Sequence, residues 1–206
     1  MKRLLAALAL TLTACNSEPL TPIRSILIIG DSVAHGYAAS LVTLLGSEIA
    51  VSTPIDNCRN SWYTNQHVQD WFVTENLLYA KNVTPDVIIW NNGLWNAMAP
   101  VAPVYGRTDE QYASELKSTL QFLQSKHARL IFALTTDIPA AASRDGFIPG
   151  KEVQLNQIAQ TALFGQVEFL PLHGVAQDMH INIADVHFTK QGYDTLAQAI
   201  KAYLKL

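Results

Sequence analysis

The sequence lacks the features that would mark several protein classes. It holds two cysteines in 206 residues, Cys15 and Cys58, so no disulfide framework supports the fold. Charged residues make up only 15%, with 14 Lys and Arg against 17 Asp and Glu, and no basic cluster forms a stripe. Nucleic acid is therefore not an expected partner. No apolar run reaches the roughly 18–20 residues that a membrane-spanning helix needs. The chain also shows no internal repeat and no low-complexity segment, which excludes solenoids and repeat arrays.

What is present is a 49% hydrophobic fraction, enough for one domain with a full core. The first residues, "MKRLLAALALTLTAC", begin with Lys2 and Arg3 and continue through a short apolar segment to Cys15. That order reads as a secretory signal. Its end, Leu12-Thr13-Ala14-Cys15, resembles the lipobox of bacterial lipoproteins, in which the peptide is cut before the cysteine and the cysteine is lipidated. The expected layout is a signal at 1–14, a lipidated Cys15 with a polar, proline-bearing tether at 15–24, and a domain at 25–206. Asn16, in place of an aspartate after the cysteine, points to the outer membrane of a cell envelope, with a palmitate-type anchor as the membrane contact. Cys58 is then a single thiol, expected as a small buried hydrophobe.

Five apolar runs read as strands, at 25–30, 48–54, 85–93, 128–136 and 166–172, and the strongest are continuous in Ile, Val and Leu. Helical spacing lies between them. Tyr37, Leu41, Leu44 and Leu45 share one face, closed by Gly46. Val68, Trp71, Phe72 and Leu78 suggest a second helix, and Tyr112, Leu116, Leu120 and Leu123 a third, with Thr108 and Gln111 as a capping box. Leu155, Ile158, Ala159, Ala162 and Leu163 mark a fourth. Tyr193, Leu196, Ala197, Ile200 and Leu204 mark a fifth, with Thr189 as its N-cap. Strict alternation of strand and helix predicts an α/β fold with a five-stranded parallel sheet between two helical layers.

Polar residues gather at the predicted carboxyl ends of the strands, where ligands bind in such folds. The first strand runs into Gly30-Asp31-Ser32. A serine at a strand-to-helix turn exposes its hydroxyl and sits beside free backbone N–H groups. The same triplet also serves as an ordinary helix cap. A serine nucleophile needs a base. Of the six histidines, His67 and His127 fall in surface helical stretches, and His35 is too near in sequence to fold back on the serine. His187 follows Asp185 by two residues, just before the last helix, so a carboxylate can take its Nδ1–H and leave Nε2 for Ser32.

The "GDS" after the first strand and the "DVHFTKQGY" before the last helix together resemble the SGNH hydrolases, the GDSL esterase/lipase family. The resemblance runs in element order from about Ile23 to Leu206. It implies a flavodoxin-like α/β/α fold and hydrolysis of carboxylic esters, with short acyl or acetyl groups on a small-molecule or polymer-borne substrate, carbohydrate or lipid. Ser32 would be the nucleophile, His187 the base and Asp185 its orienting carboxylate. No metal or organic cofactor is implied. Val33 stands where the family usually has leucine. The family spaces its aspartate three residues before the histidine, where this chain has Ala184, so Asp178 is the alternative to Asp185. For the oxyanion, the resemblance implies the Ser32 amide and the amide of Arg59, where the family has glycine. It also implies an asparagine after the third strand. Asn92, Trp95 and Asn96 are the candidates there, and the sequence leaves the choice open. An acyltransferase would use the same residues. A non-catalytic glycan- or peptide-binding module would instead stack its ligand on Trp62, Tyr63, Trp90 and Trp95.

Overall fold

The computed structural model describes residues 22–99 and 106–206. The signal, Cys15 and most of the tether lie outside the described residues. Within them, β1 (Ser25–Ile29), β2 (Ala50–Pro54), β3 (Leu77–Tyr79), β4 (Val87–Trp90), β5 (Arg129–Ala133) and β6 (Glu168–Leu170) form one sheet in the order β3-β2-β1-β4-β5-β6. All pairs are parallel except β2 with β3. The helices are α1 (Ser32–Leu45), α2 (Ser61–His67), α3 (Asp109–Gln124), α4 (Lys151–Ala162) and α5 (Lys190–Leu204). No helix of the described residues is long and apolar enough to cross a membrane.

The predicted sheet of five parallel strands is thus corrected to six, with an antiparallel edge. The added strand, β3, comes from the stretch predicted as the second helix. α2 ends at His67, and the chain continues through two single 3₁₀ turns, Asp70–Phe72 and Thr74–Asn76. Val68 and Trp71 are buried as their spacing implied, but from separate turns. Leu78 pairs with Thr53 in the sheet, and a left-handed Tyr79 (φ 61°) ends the strand. β1, β4, β5 and β6 stop short of the carboxyl ends of their apolar runs, where residues leave the ladder, whereas β2 is shortened only at its amino end.

Every residue of β1 and β4 is buried, and apart from Ser25 and Trp90 the two strands consist of Ile, Leu and Val. From β1 the chain moves outward to β2 and β3, then crosses back to β4 and on to β5 and β6. The order therefore reverses between β1 and β4, and a crevice opens at their carboxyl ends. On one face α1 packs against α5, and α2, α3 and α4 pack in series as the other layer. Gly36 sets the α1–α5 approach, since a Cβ there would lie 2.1 Å from the Tyr193 ring. Thr108 and Gln111 form the capping box of α3, and Thr189 caps α5 through the Gly192 amide. Cys58 is fully buried, and its amide donates to the carbonyl of Gly30, fastening the loop after β2 to the end of β1.

Candidate active site

Ser32 is the first residue of α1, directly beyond β1. Asp31 caps the helix, with one carboxylate oxygen accepting from the amides of Val33 at 3.0 Å and Ala34 at 3.4 Å. The first amides of a helix have no intrahelical acceptor. With those two taken by Asp31, the Ser32 amide remains at the positive end of the helix. Gly30 is required by packing, because a Cβ would meet that of Ala34 at 2.4 Å.

The second part of the site comes from 155 residues downstream. Residues 179–189 fold back on themselves, with Ile181 N–H bonded to the His187 carbonyl and Thr189 N–H to that of Met179. This places His187 Nε2 2.7 Å from Ser32 Oγ. Asp185 Oδ1 accepts twice from the same residue, from the His187 amide at 2.8 Å and from its Nδ1 at 2.7 Å. The two-residue spacing therefore works through an Asx-type turn. Asp178 is exposed and makes no hydrogen bond to His187. Burial raises the pKa of Asp185, but the His187 amide, ring N–H and charge outweigh it and hold the carboxyl below its ordinary value.

Beneath Ser32 the other oxygen of Asp31 is buried without a partner, as is the hydroxyl of Tyr37. Both line a cavity of about 10 Å³, together with Asn91 and Thr135, which has room for about one water. Burial raises the pKa of Asp31 to about 6, against the downward pull of the two capping amides and of His187. Burial also pushes the Cys58 thiol well up, so it stays protonated and is a poor nucleophile.

The candidate oxyanion residues divide differently from the expectation. Asn92 is fully buried; its oxygen accepts from the Trp90 indole at 2.5 Å and its amide donates to Thr64 Oγ1 at 2.5 Å. Asn96 is equally committed, accepting from the Ser61 amide and donating to Ser61 Oγ. Both asparagine side chains thus hold the start of α2 in place. The Arg59 amide donates to Asn57 Oδ1 at 2.9 Å. Arg59 nonetheless keeps a left-handed backbone, φ 49°, in the position where the resemblance has glycine, and its guanidinium lies 4.3 Å over the Tyr63 ring. Asn91, which the sequence reading passed over, bridges β4 to β5 by donating to the Ala133 carbonyl and Thr135 Oγ1. Only its position at the end of a buried strand distinguished it from its neighbour.

Of the aromatic side chains suggested as a stacking platform, Trp90 is in the core against Phe132, at 5.0 Å between centroids. Tyr63 is held by Asp56 and covered by Arg59. Trp62 and Trp95 are half-buried. Among the described residues, no group of three His, Cys, Asp or Glu side chains is arranged to hold a metal ion.

No family model matches the sequence, and no curated protein matches it. Solved structures do match the fold. An acetyl xylan esterase, AlAXEase, aligns with a TM-score of 0.69 at 12% identity, over 87% of this chain and 99% of that one. A lipase/acylhydrolase from Enterococcus faecalis aligns at 0.67 and 16% identity, over 89% and 96%. A GDSL-like lipase from Bacteroides thetaiotaomicron aligns at 0.62 and 15% identity, over 88% of each chain. At these identities the likeness establishes the α/β/α fold.

Proposed function

We propose that the protein is a serine esterase of the SGNH type, cleaving carboxylic esters through Ser32, His187 and Asp185. The carrying observation is the unbroken relay from Ser32 Oγ to His187 Nε2, at 2.7 Å, and from His187 Nδ1 to Asp185 Oδ1, also at 2.7 Å. Esterases and lipases among the fold's structural neighbours support the reading.

In this mechanism His187 Nε2 takes the hydroxyl proton as Ser32 Oγ attacks the ester carbonyl. Asp185 fixes the tautomer with the proton on Nδ1 and stabilises the imidazolium that forms. The developing oxyanion faces the Ser32 amide at the positive end of α1. The imidazolium then protonates the departing alcohol, leaving an acyl-serine. Water, deprotonated by the same imidazole, attacks the acyl carbon and releases the acid and the free serine. The sequence between elements carries no long apolar segment to cover an acyl chain, which favours short acyl groups. A non-catalytic stacking module is disfavoured by the burial of Trp90.

Ser32→Ala is expected to lower hydrolysis of p-nitrophenyl acetate by at least about 10³-fold, with an unchanged melting temperature. A fluorophosphonate should label wild type at Ser32. Full activity of the variant, or no labelling of wild type, would overturn the assignment. A lipid anchor at Cys15 is part of the same reading: Cys15→Ser should abolish incorporation of labelled palmitate and release the protein from membranes.

A further inference from the structure

The parallel strands all enter the sheet from one edge, opposite the crevice that holds Ser32 and His187. The segments leading into those strands, their first residues, and the last turn and cap of α5 carry Arg24, Lys81, Lys126, Arg129, Lys201 and Lys205. These are six of the twelve Lys and Arg among the described residues. The same segments hold only three of the sixteen Asp and Glu, namely Glu48, Asp86 and Glu168. This edge is therefore basic on a molecule that is acidic elsewhere.

Two of the three carboxylates are already occupied. Glu168 accepts from Arg129 through both oxygens at 2.6 Å, and Asp86 Oδ2 accepts from the Arg24 and Ser25 amides at 2.8 and 2.9 Å. Lys81, Lys201 and Lys205 take part in no ion pair among the described residues. Two grooves gather the edge around the point where the tether joins the domain. One, of about 920 Å³, sets Pro22 and Ile23 beside His127, Arg129 and Lys205. The other, of about 770 Å³, sets them beside Lys201. A large apolar side chain stands at the same edge. In the turn from α4 to β6, Leu163 is buried, the Gln166 amide closes onto its carbonyl, and Gly165 is left-handed, φ 71°. With Leu163 turned into the core, Phe164 is turned out and is 82% exposed. Unpaired cations with an exposed aromatic ring suit a bilayer surface, the cations for anionic headgroups and the ring for the acyl boundary. Seven peptide links join Cys15 to Pro22, a reach of at most about 25 Å.

Going beyond the esterase reading, and resting on the lipid anchor at Cys15, we propose that this edge docks on the bilayer that holds the anchor, with Lys81, Lys201 and Lys205 against anionic phospholipid headgroups and Phe164 inserted among them. Each such cation strengthens binding about fivefold, within roughly 10 Å of the surface at 0.1 M salt. A strand of five residues such as β1 is about 17 Å long. The docked protein thus holds its crevice clear of the lipid and open to esters arriving from the aqueous side.

The test uses the full chain reconstituted with vesicles of phosphatidylcholine, alone or with about 30% phosphatidylglycerol. Phe164→Cys and Ile183→Cys each carry a polarity-sensitive nitrobenzoxadiazole dye; Ile183 is 81% exposed on the loop of Asp185 and His187, at the opposite edge. Wild type treated in parallel corrects for dye taken by Cys15 or by the buried Cys58. The dye at 164 should shift to the blue and brighten by about twofold or more on the anionic vesicles only, and the dye at 183 should stay unchanged on both. Lys81→Gln, Lys201→Gln and Lys205→Gln combined, or about 0.5 M salt, should remove most of that response, the triple variant keeping its melting temperature. An equal response on both vesicles, a response at 183 in place of 164, or a full response from the triple variant would overturn the proposal. Flotation with pure phosphatidylcholine vesicles reports the anchor separately. A chain that floats with them but shows no response at 164 on anionic vesicles keeps its anchor and loses the docked edge. A chain that does not float with them yet responds at 164 on anionic vesicles keeps the docked edge and loses the anchor.

Discussion

Asp31 has two roles that pull in opposite directions. One oxygen caps α1 and so helps to position Ser32, while the other is buried without a partner. The carboxyl consequently resists ionisation, with a pKa near 6 against an ordinary 3.8. The folded protein therefore holds this proton across a pH range in which the unfolded chain has lost it. Stability from this group is full below about pH 4, falls as pH rises toward 6, and is flat above. The gap between 6 and 3.8 corresponds to about 3 kcal/mol as an upper estimate. Asn at position 31 keeps a capping oxygen and cannot ionise. Asp31→Asn should thus be more stable than wild type near pH 7.5 by about 1–3 kcal/mol and nearly equal to it at pH 4, in urea unfolding at both values. Asp185 shows the contrasting case, a half-exposed carboxyl held ionised by its histidine. Asp185→Asn should lower kcat on p-nitrophenyl acetate by about 10²–10⁴-fold with little change in melting temperature.

At the scale of elements, the contact between α1 and α5 makes the sharpest prediction. Alanine normally favours a helix over glycine by about 1 kcal/mol. At Gly36 the added methyl would enter the Tyr193 ring, and overpacking of this kind costs about 1–3 kcal/mol. Gly36→Ala should therefore destabilise the protein by a net amount of up to about 2 kcal/mol, and lower turnover because the helix bearing Ser32 must move from the one that follows His187. The same scale shows what the sequence could convey. β1 and β4 were legible because burial on both faces demands unbroken apolar runs, and α3 and α5 because their caps and apolar stripes agree. β3 was not, since three residues at an antiparallel edge carry no period, and the end of α2 and the 3₁₀ turn after it bury Val68 and Trp71 at spacings that imitate a helix. Ser32, Asp185 and His187 were legible as candidates because each stands in a short local motif. The asparagines were not, because residue type does not reveal that Trp90, Thr64 and Ser61 occupy their hydrogen-bonding groups.

Across the whole molecule, one polar network joins parts of the site that the sheet alone does not connect. Arg107 holds Glu115 of α3 through two guanidinium nitrogens, Glu115 accepts from Ser61 Oγ, and Ser61 is paired with Asn96 beyond β4. The ion pair is mostly buried, so removal of one partner leaves a charge in a poor medium. Arg107→Ala should cost about 3 kcal/mol in chemical denaturation. Arg107→Ala combined with Glu115→Gln should cost less than the sum of the two single changes, and the double-mutant cycle measures that coupling.

The relay also couples the two extremes of the described chain, with the hydroxyl on the first helix and the imidazole at the threshold of the last. On the proposed mechanism, Ser32 has nothing to deprotonate it until the C-terminal segment has folded back. Competence then arrives in a single late event, when α5 docks on α1, so a chain truncated before His187 is expected to be chemically silent.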